Sequence, residues 1–369
     1  MPVRVLPPNP SLEHLKYQAK DLIRDHAVRD RAAAQRIREF HPRFSRATDA
    51  EIFAGPFKLS DAQITIARES GFPSWARLKR HIEKPTLTDQ LNLPHHERIE
   101  DPTFRRGVDL IDAGDAAGLR TYLKQHPGLQ RQRVVFEGWN YFRTPSLLEF
   151  IAENPIRHGK LPANVVEVAT VILDAGVEQS ALNETLMLVA TGSVPRECRL
   201  QETLIDLLCD RGADPNSALR ITAVLSEFEA VHILISRGAR IDLPVAAALG
   251  RVDEFRHLLP ASGSEDRHLA FAVAAQCGHV EIVRILLDAG EDPNRYNPVG
   301  GHSHSTPLHQ AAGAGHFDVV KLLVERGARL DMKDVLWHGT PAGWAKHGEK
   351  MEVEAYLHAE EKSRRKRDD

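Results

Sequence analysis

"HSHSTPLHQAAGAGHFDVVKLLVERGARLD", residues 302–331, carries two signals that point in different directions. His302 and His304 have the spacing of a chelate: on an extended strand, two imidazoles two residues apart project to one side. The rest reads as a structural unit. Thr306 before Pro307 is a helix start. A hydroxyl satisfies orphan N–H groups there, and proline fits the first helical position because its missing N–H would have no partner. Leu308, Ala311 and Ala312 give a short apolar face, and Gly315 interrupts it. Val319, Val320, Leu322 and Leu323 then line one side of a second helix, which Gly327 ends. Two such helices carry apolar surface that neither buries alone, so the unit requires neighbours of its own kind.

The neighbours are present. "AAQCGHVEIVRILLDAGEDPN" (274–294) and "AAALGRVDEFRHLL" (246–259) repeat the pattern upstream, and "LLCDRGADPN" (207–216), "ILISRGARID" (233–242) and "VILDAGVEQS" (171–180) end further copies. Glycines follow the second helix at 176, 212, 238, 290 and 327, spaced 36, 26, 52 and 37 apart, with an extra unit around Gly250 inside the longest gap. A period of about 33 residues with this internal order is the ankyrin pattern, and "TPLHQAAGAGHFDVVKLLVERGARLD" closely resembles the ankyrin consensus. The resemblance covers roughly residues 102–360. It implies an all-α solenoid of about eight helix pairs with short β-hairpin fingers, whose concave finger-and-helix surface binds a protein partner without catalysis. It also implies structural roles for Thr306, Pro307, His309, Gly315 and Gly327, with His309 hydrogen-bonding around the Thr306 cap.

Residues 1–84 form a different block. Helices are expected from Ser11, over 30–40, over 59–72 with Ser60 and Gln63 at capping-box spacing and Gly71 as its stop, and over 73–84. "SLEHLKYQAKDL" and "LSDAQITIARESGFPSWARLKRHIE" resemble a helical module at the front of bacterial ankyrin-repeat proteins. The block reads as a four-helix cap on the solenoid. Residues 85–101 read as a connector and 361–369 as a disordered charged tail.

Composition narrows the function classes. The 369 residues contain 42% hydrophobic side chains, ample for a core, but no apolar run of about 18 residues that would span a membrane. The start, "MPVRVLPPNP", has no signal-peptide core. Cys198, Cys209 and Cys277 stand singly, with no CxxC pair and no disulfide framework, which fits a reducing cytoplasm. Residues 1–84 carry a net charge of +6 and the remainder −9. A basic front block admits a nucleic-acid reading, but no nucleic-acid motif accompanies it. The chain reads as a monomer.

No nucleophile elbow, P-loop, dinucleotide fingerprint or HExxH is present, so no catalytic residue, cofactor or metal ligand is assigned. A metal-binding or hydrolytic protein built on the His302/His304 finger is the rival reading. It lacks the further ligands that such a centre needs. The candidate binding residues lie in the long fingers. "GLQRQRVVFEGWNYFRTP" (128–145) brings Phe136, Trp139, Tyr141 and Phe142 together in a chain that is only 6% aromatic. "NRYNPVGGHSHS" (294–305) adds Tyr296, His302 and His304, and "DMKDVLWHG" (331–339) adds Trp337 and His338. Aromatic side chains bury large areas at interfaces with little rotamer loss. The insertions at 153–164 and 191–201 read as tolerated elongation of turns.

Overall fold

The computed structural model describes residues 11–83, 93–137 and 141–368, and it divides after Leu93 into two units. Among its described residues the first unit contains five α-helices: α1 (Leu12–Ala27), α2 (Arg31–Phe40), α3 (Asp49–Ala54), α4 (Leu59–Glu69) and α5 (Trp75–Glu83). The sequence reading missed α3, a six-residue helix with a reciprocal cap: the Thr48 N–H donates to the Glu51 carboxylate at 2.8 Å, and the Glu51 N–H donates to the Thr48 hydroxyl. Helix α4 starts two residues earlier than the Ser60/Gln63 box implied, because the Asp61 carboxylate accepts from the Lys58 N–H at 2.8 Å. Leu15, Leu22, Ile37, Ile52, Ile66 and Leu78 form its core. Several of the arginines that make this block basic are paired inside it: Arg36 with Glu69 at 2.7 Å, Arg38 with Asp49, and Arg43 with Asp61 at 3.4 Å.

The second unit is a double row of helices. The inner row runs through α6 (Pro102–Asp112), a 3₁₀ turn at Leu148–Ala152, α9 (Gln179–Thr191), α12 (Asn216–Val224), α14 (Leu243–Ala248), α16 (Ser264–Cys277), α18 (Pro307–Ala314) and α20 (Pro341–His347). The outer row runs through α7 (Ala116–Gln125), α8 (Val165–Asp174), α11 (Gln201–Asp210), α13 (Phe228–Ser236), α15 (Val252–Leu258), α17 (Val280–Asp288), α19 (Phe317–Glu325) and α21 (Met351–Asp368). A short helix, α10 (Ser193–Glu197), fills the insertion between α9 and α11. Inner helices are small-residue rich, so their backbones approach closely. Every residue of α14, "LPVAAA", is buried. Outer helices bury one stripe: in α17 it is Ile282, Val283 and Leu286, each such burial contributing roughly 1.5–3 kcal/mol.

The glycine punctuation has a steric cause. Gly278 has φ +80°, and a Cβ there would meet the His316 ring at 2.6 Å. That ring, from the next helix pair, needs the space to bond Nε2 to the Gln276 carbonyl at 2.9 Å. One pair upstream, His279 does the same over Gly250, bonding the Ala248 carbonyl at 2.9 Å. Each Gly-His turn thus stitches two neighbouring pairs together.

Two expectations are corrected. The fingers contain no β-strand among the described residues, only an isolated antiparallel bridge between Arg133 and Ser146. The arms are short and interrupted by Pro145 and Pro298, which donate nothing to a ladder. The tail read as disordered continues α21 to Asp368. Arg364 anchors it by donating to the Val324 and Ala328 carbonyls at 3.0 and 3.1 Å, at and just beyond the end of α19. Of the connector read at 85–101, residues 85–92 lie outside the described residues, and Ile99 belongs to the core of the second unit.

Candidate protein-docking site

The fingers carry aromatic residues in two different states. In the first finger, Val134 and Phe136 donate their N–H groups to the Pro145 and Arg143 carbonyls at 3.1 and 2.8 Å, closing a hairpin whose tip, with Trp139, lies outside the described residues. Phe136 and Phe142, assigned to partner binding from sequence, are buried. They stack at 6.0 Å on each other, Phe142 meets Phe150, and His95 packs edge-on against both. Their aromatic area is spent inside the chain, so they leave the binding list. Burial lowers the His95 imidazole to about 4, so it packs as a neutral ring. Tyr141 is exposed, its hydroxyl donating to the Asn154 side-chain carbonyl.

In the last finger the aromatic surface is displayed. Asp334 is 1% exposed, and its carboxylate accepts from the N–H groups of Leu336, Trp337 and Gly339 at 2.9, 2.7 and 2.7 Å and from the Trp344 indole at 3.0 Å. Burial alone would raise this carboxyl, but the four hydrogen bonds hold it at about 2. The Val335 N–H donates to the His304 carbonyl at 2.8 Å, fastening this tip to the preceding finger. With its backbone fixed, the turn leaves Val335, Leu336 and Trp337 at 58, 60 and 69% exposure. Three consecutive large apolar side chains held out by a pre-ordered turn need little ordering on contact.

The preceding finger contributes its own part. The Tyr296 hydroxyl donates to the Lys333 carbonyl at 2.6 Å, and Val299 is fully open. The His304 ring lies between Trp337 at 5.2 Å and Trp344 at 5.7 Å. His302 stands 6.1 Å from it, its imidazole lowered by burial and by His304. His338 is exposed beside Trp337. Tyr296, His304 and Trp337 therefore converge, whereas Tyr141 lies far along the row. The sequence reading missed Val299, Val335, Leu336, Asp334 and Trp344. An aspartate followed by donors two, three and five residues on is the available signal for Asp334.

Behind the finger, His309 is fully buried and bonds on both sides. Its Nδ1 accepts from the Thr306 hydroxyl at 2.8 Å and from the Thr306 N–H at 3.2 Å, and its Nε2 donates to the Gly339 carbonyl at 3.1 Å. Burial lowers its imidazole, and this bonding fixes the neutral form with hydrogen on Nε2.

Metal-compatible geometry lies elsewhere. His302 and His304 acquire no third ligand among the described residues, while Asp112, Glu153 and His158 bring ligand atoms within 4.8 Å of one another. A cation of the chain already holds that group. Arg157, its side chain 2% exposed, donates to both Asp112 oxygens at 2.8 and 2.9 Å and forms an ion pair with Glu153 at 2.8 Å. The second Glu153 oxygen accepts from the N–H groups of Arg157, His158 and Gly159. The insertion at 153–164 is thus built around a buried ion-paired cluster.

Comparison with known proteins follows the same repeats. A family model described as ankyrin repeats, three copies, matches residues 243–334. Cyclin-dependent kinase 4 inhibitor B of Rattus norvegicus is 30% identical over 130 residues, 34% of this chain and 97% of that protein. Cyclin-dependent kinase inhibitor 2A of Homo sapiens is 32% identical over 121 residues, 32% of this chain and 75% of that protein. Ankyrin repeat and SAM domain-containing protein 6 of Mus musculus is 33% identical over 106 residues, 29% of this chain and 12% of that protein. By these matches and by its own Gly-His turns and finger loops, the chain belongs to the ankyrin-repeat family.

Proposed function

We propose that this chain is a non-enzymatic interaction scaffold that binds a protein partner on the concave surface formed by its fingers and inner helices. The last two fingers make the principal contact. Trp337, with Val335 and Leu336, is the anchor; Tyr296, His302, His304 and His338 border it, and Tyr141 extends the surface toward the first finger. The observation that carries this reading is the Asp334 turn, which fixes a backbone and exposes three apolar side chains upon it. We read the rows from 102 to 357 as about eight ankyrin units, acting as a monomer in the cytoplasm, with residues 1–84 as a helical cap.

The relatives include inhibitors named for a cyclin-dependent kinase and a protein named for a SAM domain. That spread supports protein binding as the class and leaves the partner to be identified. No helix among the described residues is long and apolar enough to cross a membrane. Internal pairing of Arg36, Arg38 and Arg43 argues against a nucleic-acid face on the front block. Affinity capture from the native cell with matched wild-type and Trp337→Ala baits tests the proposal. A protein held by the first and lost by the second is the expected result; equal recovery on both baits refutes it.

A further inference from the structure

The corner between the first finger and α9 holds a second, chemically distinct feature. Glu149, on the 3₁₀ turn, is 3% exposed. One carboxylate oxygen accepts from the Ser146 N–H at 2.8 Å; the other, Oε1, is buried and receives no donor group, and the Ser146 hydroxyl is likewise buried without a partner. The nearest cation is Arg133, whose Nη1 stands 3.6 Å from that oxygen. Arg133 spends its hydrogen bonds elsewhere: on the Thr144 carbonyl at 2.7 Å, on Glu184 at 2.7 Å and on the Ser180 hydroxyl at 3.1 Å. Glu149 and Glu184 line an open cavity of about 320 Å³ with Tyr141, Phe142, Met187 and Arg143.

The charges in this corner do not balance. Glu149, Glu184 and Glu178 face Arg133, and the exposed Arg143 lines the same cavity. Fully ionised, the group carries one surplus negative charge. A buried carboxylate in that position takes up a proton or a cation. Burial, then the hydrogen bond and charge of Glu184, push the Glu149 carboxyl up to about 9, so the proton is there at neutral pH.

We infer that the cavity between Glu149 and Glu184 is a subsite for a basic side chain, lysine or arginine, of a bound partner segment. The entering ammonium or guanidinium takes the place of the proton on Glu149, giving Oε1 its missing donor. The ring of Tyr141 and the thioether of Met187 cover the aliphatic stem, as such groups do for long cationic side chains generally. The inference rests on the reading of the chain as a protein-binding module, and it deepens that reading by naming the partner's chemistry at one point. It also gives the first finger a role after Phe136 and Phe142 are assigned to packing. Binding releases one proton from Glu149 to solvent, so affinity rises with pH as Glu149 ionises.

The test uses N-acetyl-arginine amide as the probe and N-acetyl-citrulline amide, its neutral isostere, as the control. Each is titrated into the full chain and followed by NMR, and by calorimetry in two buffers of different ionisation enthalpy. The expected result is weak binding of the arginine probe, on the order of millimolar, with a proton released and no binding of the citrulline probe. Glu149→Gln should weaken the arginine probe at least about tenfold, or about 1.4 kcal/mol, because glutamine mimics the neutral acid but never becomes negative. For the same reason Glu149→Gln should melt no lower than the wild type at neutral pH. Equal binding of the two probes, unchanged binding in Glu149→Gln, or a lowered melting temperature of that variant would each overturn the inference. Because the probe is a small molecule, its failure leaves the finger-docking reading standing, and failure of partner capture leaves this pocket to be judged by the probe alone.

Discussion

The first and last fingers are built from the same material and use it in opposite ways. Both interrupt the helical rows with loops rich in aromatic residues. In the first, Phe136 and Phe142 turn inward against Phe150 and His95, filling a place where the inner row has a 3₁₀ turn in place of a full helix. In the last, a complete α20 closes the core, and the finger has nothing to fill. Asp334 ties its backbone to Trp344, and Leu336 and Trp337 point outward. Aromatic content therefore does not mark a docking surface by itself. What decides is whether the adjoining helix pair is complete enough to leave the aromatic side chains free.

The largest effect that could break this contrast is on stability. Phe142→Ala should cost about 3–5 kcal/mol through the cavity left beside Phe150 and Phe136, and calorimetric or chemical unfolding would measure it. A cost below about 1 kcal/mol would mean that the first finger does not pack as described. Asp334→Ala should cost about 2 kcal/mol and free the last finger, because three backbone donors and one indole lose a charged acceptor. The Trp344 indole N–H resonance should shift and its solvent exchange should quicken. Thr306→Ala should cost about 1 kcal/mol by removing the hydroxyl that orients His309 and caps α18, lowering the melting temperature without altering partner affinity.

Acid should separate the two fingers as well. The folded Asp334 carboxyl sits at about 2, below the unfolded value of about 3.9. Its stabilisation is therefore complete above pH about 4 and is lost as pH falls through about 2. The imidazoles of His95 and His309 are likewise depressed in the fold. Their contribution is present above pH about 6.5 and declines below it, for His95 down to about 4. Melting temperature should thus fall first between about pH 6.5 and 4, with the last tip still ordered by its Trp344 indole signal, and the tip should loosen only below that range. The smallest expected effect is that of Trp337→Ala on stability, within about 0.5 kcal/mol, as for an exposed side chain. Its effect on binding should be 2 kcal/mol or more, about thirtyfold.

The repeat grammar was readable because it is local. Glycines at 176, 212, 238, 290 and 327 all adopt positive φ, the conformation their spacing implied. The region around 128–165 was harder, because its inner element is a 3₁₀ turn with no helical period, and the burial of Phe136 and Phe142 depends on His95 from a segment that looks like linker. The insertion at 153–164 hid its logic for a related reason: Arg157 reaches Asp112, 45 residues away, and no short window contains both. At the docking tip, Trp337 was visible as an exposed type of residue, but its exposure is a consequence of Asp334 and Trp344, which spacing alone did not join. Arg364 shows the same limit: a charged tail looks solvated until the carbonyls it meets come from a helix that ends nearly forty residues earlier.

Hydroxyl-radical footprinting of the free chain and of the chain with its captured partner tests the central claim most directly. Trp337 should be readily oxidised in the free chain and strongly shielded in the complex, while Phe136 and Phe142 stay unmodified in both. Equal oxidation of Trp337 with and without the partner would contradict the account.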